Sequence, residues 1–179
     1  MRFSQTENIQ EHSIQVAIVA HALALMNNKY FAVQTSPERV ALVAIFHDAS
    51  EVITGDLPTP VKYFNQDIKK AYKDIEAHAY KQLLHLLPKD LTSEYEELLI
   101  PGEKDNAHQV LIKAADVLCA YIKCLEEQAA GNQEFLNARK SLEDKLTELN
   151  CPEANYFMEH FINGYSLTLD ELSAPLRDQ

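Results

Sequence analysis

Apolar residues recur along this chain at helical spacing, and period-2 alternation is nearly absent. Val16, Val19, Leu23 and Met26 make one stripe at the 3.6-residue period, which predicts a helix over 10–27. Ser36-Pro37 predicts the start of the next helix, with Ser as N-cap and Pro at the first helical position. The run Val40-Ala41-Leu42-Val43-Ala44-Ile45-Phe46 carries that helix through His47-Asp48 to about Thr54, where Gly55 stops it. Pro58 and Pro60 predict an extended loop over 55–60. Ile68, Ala71, Tyr72, Ile75, Ala79, Leu83 and Leu86 mark a third helix over 65–87, ended by Pro88. A short helix over 92–99 and a polar loop over 101–106 follow. Val110, Ala114, Val117, Tyr121, Ile122 and Leu125 then predict a helix over 107–130. Further helices are expected over 133–149 and 155–163, and Thr168 with Glu171 has capping-box spacing for a last one. No repeat, low-complexity tract or linker interrupts the pattern, so the expectation is an all-α bundle forming one domain over 1–179.

The length suits one domain with a full core. A formal charge of −11 argues against non-specific binding to a nucleic acid polymer, which needs a basic face. No run of about 20 apolar residues predicts a membrane span. Thr6, Glu7, Asn8 and Gln10 stand where a signal peptide would need its apolar core. Cys119, Cys124 and Cys151 are odd in number and form no Cys-x-x-Cys pair, which fits packing thiols in a reducing cytoplasm.

Chemistry enters at His47-Asp48. A buried imidazole beside a carboxylate is costly unless something pairs them, and a divalent metal ion serves both. His12 and Asp116 sit far away in sequence, each in another apolar helical segment. Alone, each of these residues reads more readily as a satisfied core group, and Asp116 has Lys113 three residues earlier as a partner. Together, in the order His, His-Asp, Asp, they are the pattern of the HD metal-hydrolase domain. Glu51 follows His47 by four residues and Asp48 by three, so one helix face would hold it near the same point. Two imidazoles and two carboxylates suit Mn, Co, Fe, Ni or Zn better than Mg or Ca. His21, His78, His85, His108 and His160 lack such context and read as surface or packing residues.

The match extends beyond a motif. Thr6-Glu7-Asn8 with Glu11-His12-Ser13, then His47-Asp48-Ala49-Ser50-Glu51-Val52, then the run from Thr54 to Asn65 (Thr-Gly-Asp-Leu-Pro-Thr-Pro-Val-Lys-Tyr-Phe-Asn), resemble the bacterial HD-domain 5'-deoxynucleotidases of the YfbR type. Lys113 to Glu127 looks like the helix with the last ligand of that family. The resemblance implies an all-helical homodimer in the cytoplasm. It implies hydrolysis of deoxyribonucleoside 5'-monophosphates with one divalent transition metal ion such as Co²⁺ or Mn²⁺. His12, His47, Asp48 and Asp116 would then be ligands, and Glu51 and Asp56 catalytic. Asp56, Thr59, Lys62 and Asp116 would touch substrate, with Lys113 and Lys123 as further phosphate cations. Family members usually carry a further segment ahead of Met1 with an Arg-Trp pair; this chain has no Trp, and Arg2 comes too late to be that arginine. Its absence would weaken phosphate binding, since a guanidinium holds two phosphate oxygens. The HD pattern alone leaves a phosphodiesterase or a non-catalytic metal and nucleotide binder open. Glu51 and Asp56 argue for chemistry, and the Thr-Gly-Asp-Leu-Pro-Thr-Pro loop for the monoesterase.

Overall fold

A computed structural model describes residues 7–31, 33–62, 64–100, 102 and 105–173, and among them every regular element is helical. Helix α1 (Ile9–Tyr30) starts at a reciprocal cap: Asn8 Oδ1 accepts from the Gln10 and Glu11 amides, and Glu11 Oε2 accepts from the Asn8 amide. Helix α2 (Pro37–Ile45) starts as the sequence predicts, with Ser36 Oγ accepting from the Arg39 amide at 3.2 Å. The long helix α7 (Asn106–Ala129) completes the central trio. Ala20, Ala24, Ala44, Ala114 and Ala115 are all 0% exposed, so backbones approach closely and Val16, Leu23, Val40 and Leu118 fill the space between.

After a 3₁₀ turn, Gln133–Phe135, helix α8 (Leu136–Leu149) packs back against α7. Asn150, left-handed at φ 47°, ends it. Helix α9 (Pro152–His160) adds Ala154 and Phe157 to the core. It begins earlier than the expected 155, because Pro152 opens the first turn, and Ile162–Ser166 continues as 3₁₀ helix. Helix α10 (Leu169–Leu172) has the expected Thr168–Glu171 cap. The three thiols are buried, as packing residues should be.

The largest departure lies between α2 and Gly55. The continuous helix expected over 36–54 breaks after Ile45; residues 46–50 are turns, and α3 (Glu51–Thr54) starts afresh. The amides of His47, Ala49 and Glu51 reach back three residues, to the carbonyls of Ala44, Phe46 and Asp48. Tertiary structure supplies the reason. The Tyr80 hydroxyl donates to the His47 carbonyl at 2.9 Å, the acceptor that the Glu51 amide would use in an α-helix.

The expected loop over 55–60 is also shorter. Helix α4 (Thr59–Lys62) begins inside it, with Pro60 in the first turn where no backbone donor is needed. Helices α5 (Gln66–His85) and α6 (Lys89–Leu99) follow, α6 beginning three residues before the expected Thr92. On α5, Tyr72, Ala79 and Leu84 are buried, while Ile75 and Leu86 from the predicted stripe are exposed; Val110 on α7 is exposed too. His108 is neither a surface nor a plain packing residue: its Nδ1 lies 2.8 Å from Asp105 Oδ1. Arg39 donates to both Asp105 oxygens, at 3.2 and 2.9 Å, pinning the start of α2 to the start of α7. The Arg39 guanidinium holds the buried Asp105 carboxyl below its usual range.

Candidate metal centre

Three chain segments bring the four predicted ligands together. The cap at Asn8 sets the first turn of α1, and the His12 amide bonds back to the Asn8 carbonyl at 3.1 Å. His12 Nε2 then lies 3.4 Å from Asp116 Oδ1 on α7 and 3.6 Å from Asp48 Oδ2. His47 enters from the turn after α2, its ring centroid 5.4 Å from that of His12. One donor atom each from His12, His47 and Asp48 lies within 4.8 Å of the others. Asp116 joins through His12.

The chemistry of the donors tests whether a metal fits. His47 Nδ1 lies 2.7 Å from the Ala44 carbonyl, which can only accept, so the ring proton sits on Nδ1. Nε2 is left to face Asp48 Oδ2 at 3.0 Å. That nitrogen is buried and makes no well-aligned hydrogen bond. An imidazole nitrogen and a carboxylate oxygen at this distance are joined either by a proton or by a metal ion. The donor set of imidazole nitrogens and carboxylate oxygens fits a divalent transition metal.

Protons compete for the same positions. Burial opposes the His47 imidazolium, but the Asp48 carboxylate outweighs it and raises the group above its ordinary value. His12 is raised in the same way, burial being overcome by Asp116, Asp48 and Glu7. At Asp116, burial would favour the acid form, but His12 and Lys113 outweigh it and hold the carboxyl well below its usual range. Lys113 Nζ donates to Asp116 Oδ2 at 2.6 Å, so Asp116 both pairs with this lysine and faces the site.

His12, Asp48 and Asp116 line a cavity of about 450 Å³ together with Glu51, Asp56, Leu57, Lys62 and Lys113. Burial, with the nearby Asp48 and Asp56 charges, pushes Glu51 up to about 7. A carboxyl poised there exchanges a proton near neutrality. Burial pushes the Cys119 thiol up to about 12, far from a thiolate nucleophile.

The family profile of the YfbR-like 5'-deoxynucleotidases matches residues 1–165. A 5'-deoxynucleotidase of Erwinia tasmaniensis is 53% identical over 173 residues, covering 97% of this chain and 87% of the relative. One of Vibrio cholerae is 51% identical over 173 residues, covering 97% and 89%. The chain belongs to the YfbR-like 5'-deoxynucleotidase family. Among solved structures, an HD-domain phosphohydrolase of Listeria innocua superposes with a TM-score of 0.80 at 20% identity, covering 92% of this chain and 79% of that one. The fold of this YfbR-like chain is therefore the HD-domain helical bundle.

His12, Asp48, Asp116, Glu51, Asp56 and Lys62 thus line one cavity, and His47 joins them through Asp48. Thr59 opens α4, but its side chain lies outside the described residues, as do Arg2, Thr6 and Tyr63. Lys123 is not among the residues lining the cavity. Lys62 is tied to α5: its Nζ is 2.8 Å from Glu76 Oε1 and 4.4 Å from the Tyr72 ring centroid.

Sequence reasoning missed four residues. Tyr80 and Tyr72 tether the segment over 47–55 at its two ends, Tyr72 through a 3.3 Å hydrogen bond to the Gly55 carbonyl. Nothing in a helical stripe marks a tyrosine as a tether. Glu7 lies 3.8 Å from His12 Nδ1, on the far side of the ring from the donors. Its spacing of five residues from His12 was the available signal. Lys145 lines the cavity from α8 and gave no signal at all.

Proposed function

We propose that this YfbR-like protein is a metal-dependent phosphomonoesterase that converts deoxyribonucleoside 5'-monophosphates to deoxynucleosides and phosphate. One observation carries the reading: His47 Nε2, which makes no well-aligned hydrogen bond, faces Asp48 Oδ2 at 3.0 Å, and Asp48 lines a cavity with a Glu51 carboxyl raised to about 7. The substrate class follows from the activity named for the relatives in Erwinia and Vibrio.

His12, His47, Asp48 and Asp116 would hold the cation, with Co²⁺ or Mn²⁺ suited to this donor set. When bound, such an ion supplies positive charge to the phosphate and acidifies a water. Glu51 takes the proton of the attacking water; its burial keeps it a strong enough base near neutral pH. Asp56 shares the cavity and either returns a proton to the departing 5'-oxygen or hydrogen-bonds the sugar. The pH–rate profile of Asp56→Asn separates these roles, since only loss of a proton donor removes the alkaline limb. Thr59 and Lys62 are further candidates to touch substrate, and Lys62 lines the cavity. Cys119 and the other buried thiols support a reducing, cytoplasmic setting. No helix among the described residues is long and apolar enough to cross a membrane. Ile14, Ile18 and Leu25 form an exposed apolar stripe on α1 that suits the homodimer implied by the family; sedimentation velocity checks it.

Phosphate release from dAMP and AMP, with added Co²⁺ or Mn²⁺ and with a chelator, tests the reading. Metal-dependent release from dAMP, with AMP spared, is expected. Chelator-insensitive release, or none from dAMP by metal-loaded protein, contradicts it.

A further inference from the structure

Lys145 is a cation without a role in the chemistry above. It projects from α8 into the wall of the metal cavity, beside Leu142, and is half-buried there. The other two lysines of the cavity are committed, Lys62 to Glu76 and Lys113 to Asp116. Lys145 makes no hydrogen bond or ion pair with any described residue. Taking an ammonium partly out of water without a partner costs free energy. Burial, together with the Lys113 and Lys62 charges, lowers its pKa, and only Asp116 opposes this. Lys145 lines the same cavity as Asp48 and Asp116, the cavity in which the phosphoryl group would lie for hydrolysis.

We propose that Lys145 receives the phosphate group of the nucleotide, supplying the charge that Lys62 and Lys113 have already given to protein carboxylates. The inference rests on the nucleotidase reading and adds a residue to it. A dianion approaching this cavity meets the carboxylates of Glu7, Asp48, Glu51 and Asp56, so an ammonium in the same lining with no partner among the described residues offsets that repulsion. Substrate binding in turn removes the cost of an unpaired lysine.

The test compares wild type with Lys145→Met and Lys145→Arg, and with Lys145→Gln should the Met variant disturb the wall. KM for dAMP and the inhibition constant of inorganic phosphate should each rise about tenfold in the Met variant. The kcat should stay within about threefold. Inhibition by deoxyadenosine, which lacks the phosphate, should not change, and Arg should restore the wild-type values. Unchanged phosphate inhibition would overturn the proposal. So would an equal weakening of deoxyadenosine, which would assign Lys145 to the nucleoside. Calorimetric titration of inorganic phosphate into Co²⁺-loaded protein reads the same contact without turnover. A wild type that binds phosphate through Lys145 but leaves dAMP intact would sink the nucleotidase reading alone.

Discussion

The trio α1, α2 and α7 and the segment over 46–62 are built on different terms. The trio is long, regular and closed by residues with no exposure, such as Val16, Ala20, Leu23, Ala114 and Leu118. Its geometry follows from its own periodicity. The segment is turns, two four-residue helices and a loop, partly exposed and rich in polar side chains. Its geometry is imposed from outside, by Tyr80 on the His47 carbonyl and Tyr72 on the Gly55 carbonyl. The trio contributes His12 and Asp116, and the segment contributes His47, Asp48, Glu51, Asp56 and Lys62. A regular frame thus presents one part of the site, and an irregular insert held by α5 presents the other. Regular helix could not set His47, Asp48 and Glu51 toward one point as tightly, because neighbours on a helix diverge by about 100°.

The sharpest way to break the comparison is within the segment itself. Glu51→Gln should lower kcat about 10²–10⁴-fold while Co²⁺ content stays at the wild-type level. Metal analysis beside steady-state kinetics checks both. Loss of metal together with activity would make Glu51 a ligand rather than a proton acceptor.

The frame should respond oppositely. Leu23→Ala empties a fully buried position and should cost about 2–5 kcal/mol in denaturant unfolding. The residual folded enzyme should turn over at close to the wild-type rate per bound metal.

Between these lies the tether. Tyr80→Phe removes one hydroxyl and its 2.9 Å bond to the His47 carbonyl. Stability should fall by about 1 kcal/mol, or roughly 2–4 °C in Tm. Metal affinity should fall about tenfold, because a ligand loses its support. A stability loss with unchanged affinity would show that α5 merely packs against the segment.

The smallest effect is a pH dependence of stability. The folded-state pKa of Glu51, about 7, lies above its ordinary 4.5. The folded metal-free protein therefore holds this proton more tightly than the unfolded chain, and the site loses stability as pH rises from 4.5 through 7. Metal-free Glu51→Gln, which cannot ionise, should match wild type in Tm near pH 5 and exceed it at pH 8. Calorimetry at the two values checks it.

The two regions also differ in how far they could be read from sequence. The stripe Val16–Val19–Leu23–Met26 needed no knowledge of the rest of the chain, because burial against any neighbour produces it. Ligand residue types were equally plain, since His and Asp in apolar runs need a reason. Geometry in the segment was not legible. The sequence argument placed Glu51 by its offset on a helix that α2 does not continue, and Glu51 still reaches the cavity because the turns over 46–50 bend the chain toward it. The bond that breaks that helix comes from Tyr80, thirty-three residues away, and no local pattern encodes it. Lys145 was invisible for a simpler reason. It stands among Lys140, Glu143, Asp144 and Glu148, where any charge reads as a solvated face.

The central claim is that frame and segment meet as a metal centre, and calorimetric titration of Co²⁺ into metal-free wild type and His47→Ala addresses it most directly. The account predicts binding of about one ion per chain, with proton release. Because His12 and His47 have raised pKa values without metal, affinity should be higher at pH 8 than at pH 6. His47→Ala should bind at least about 100-fold more weakly. Equal affinity in the two proteins, or no saturable binding in wild type, would contradict it.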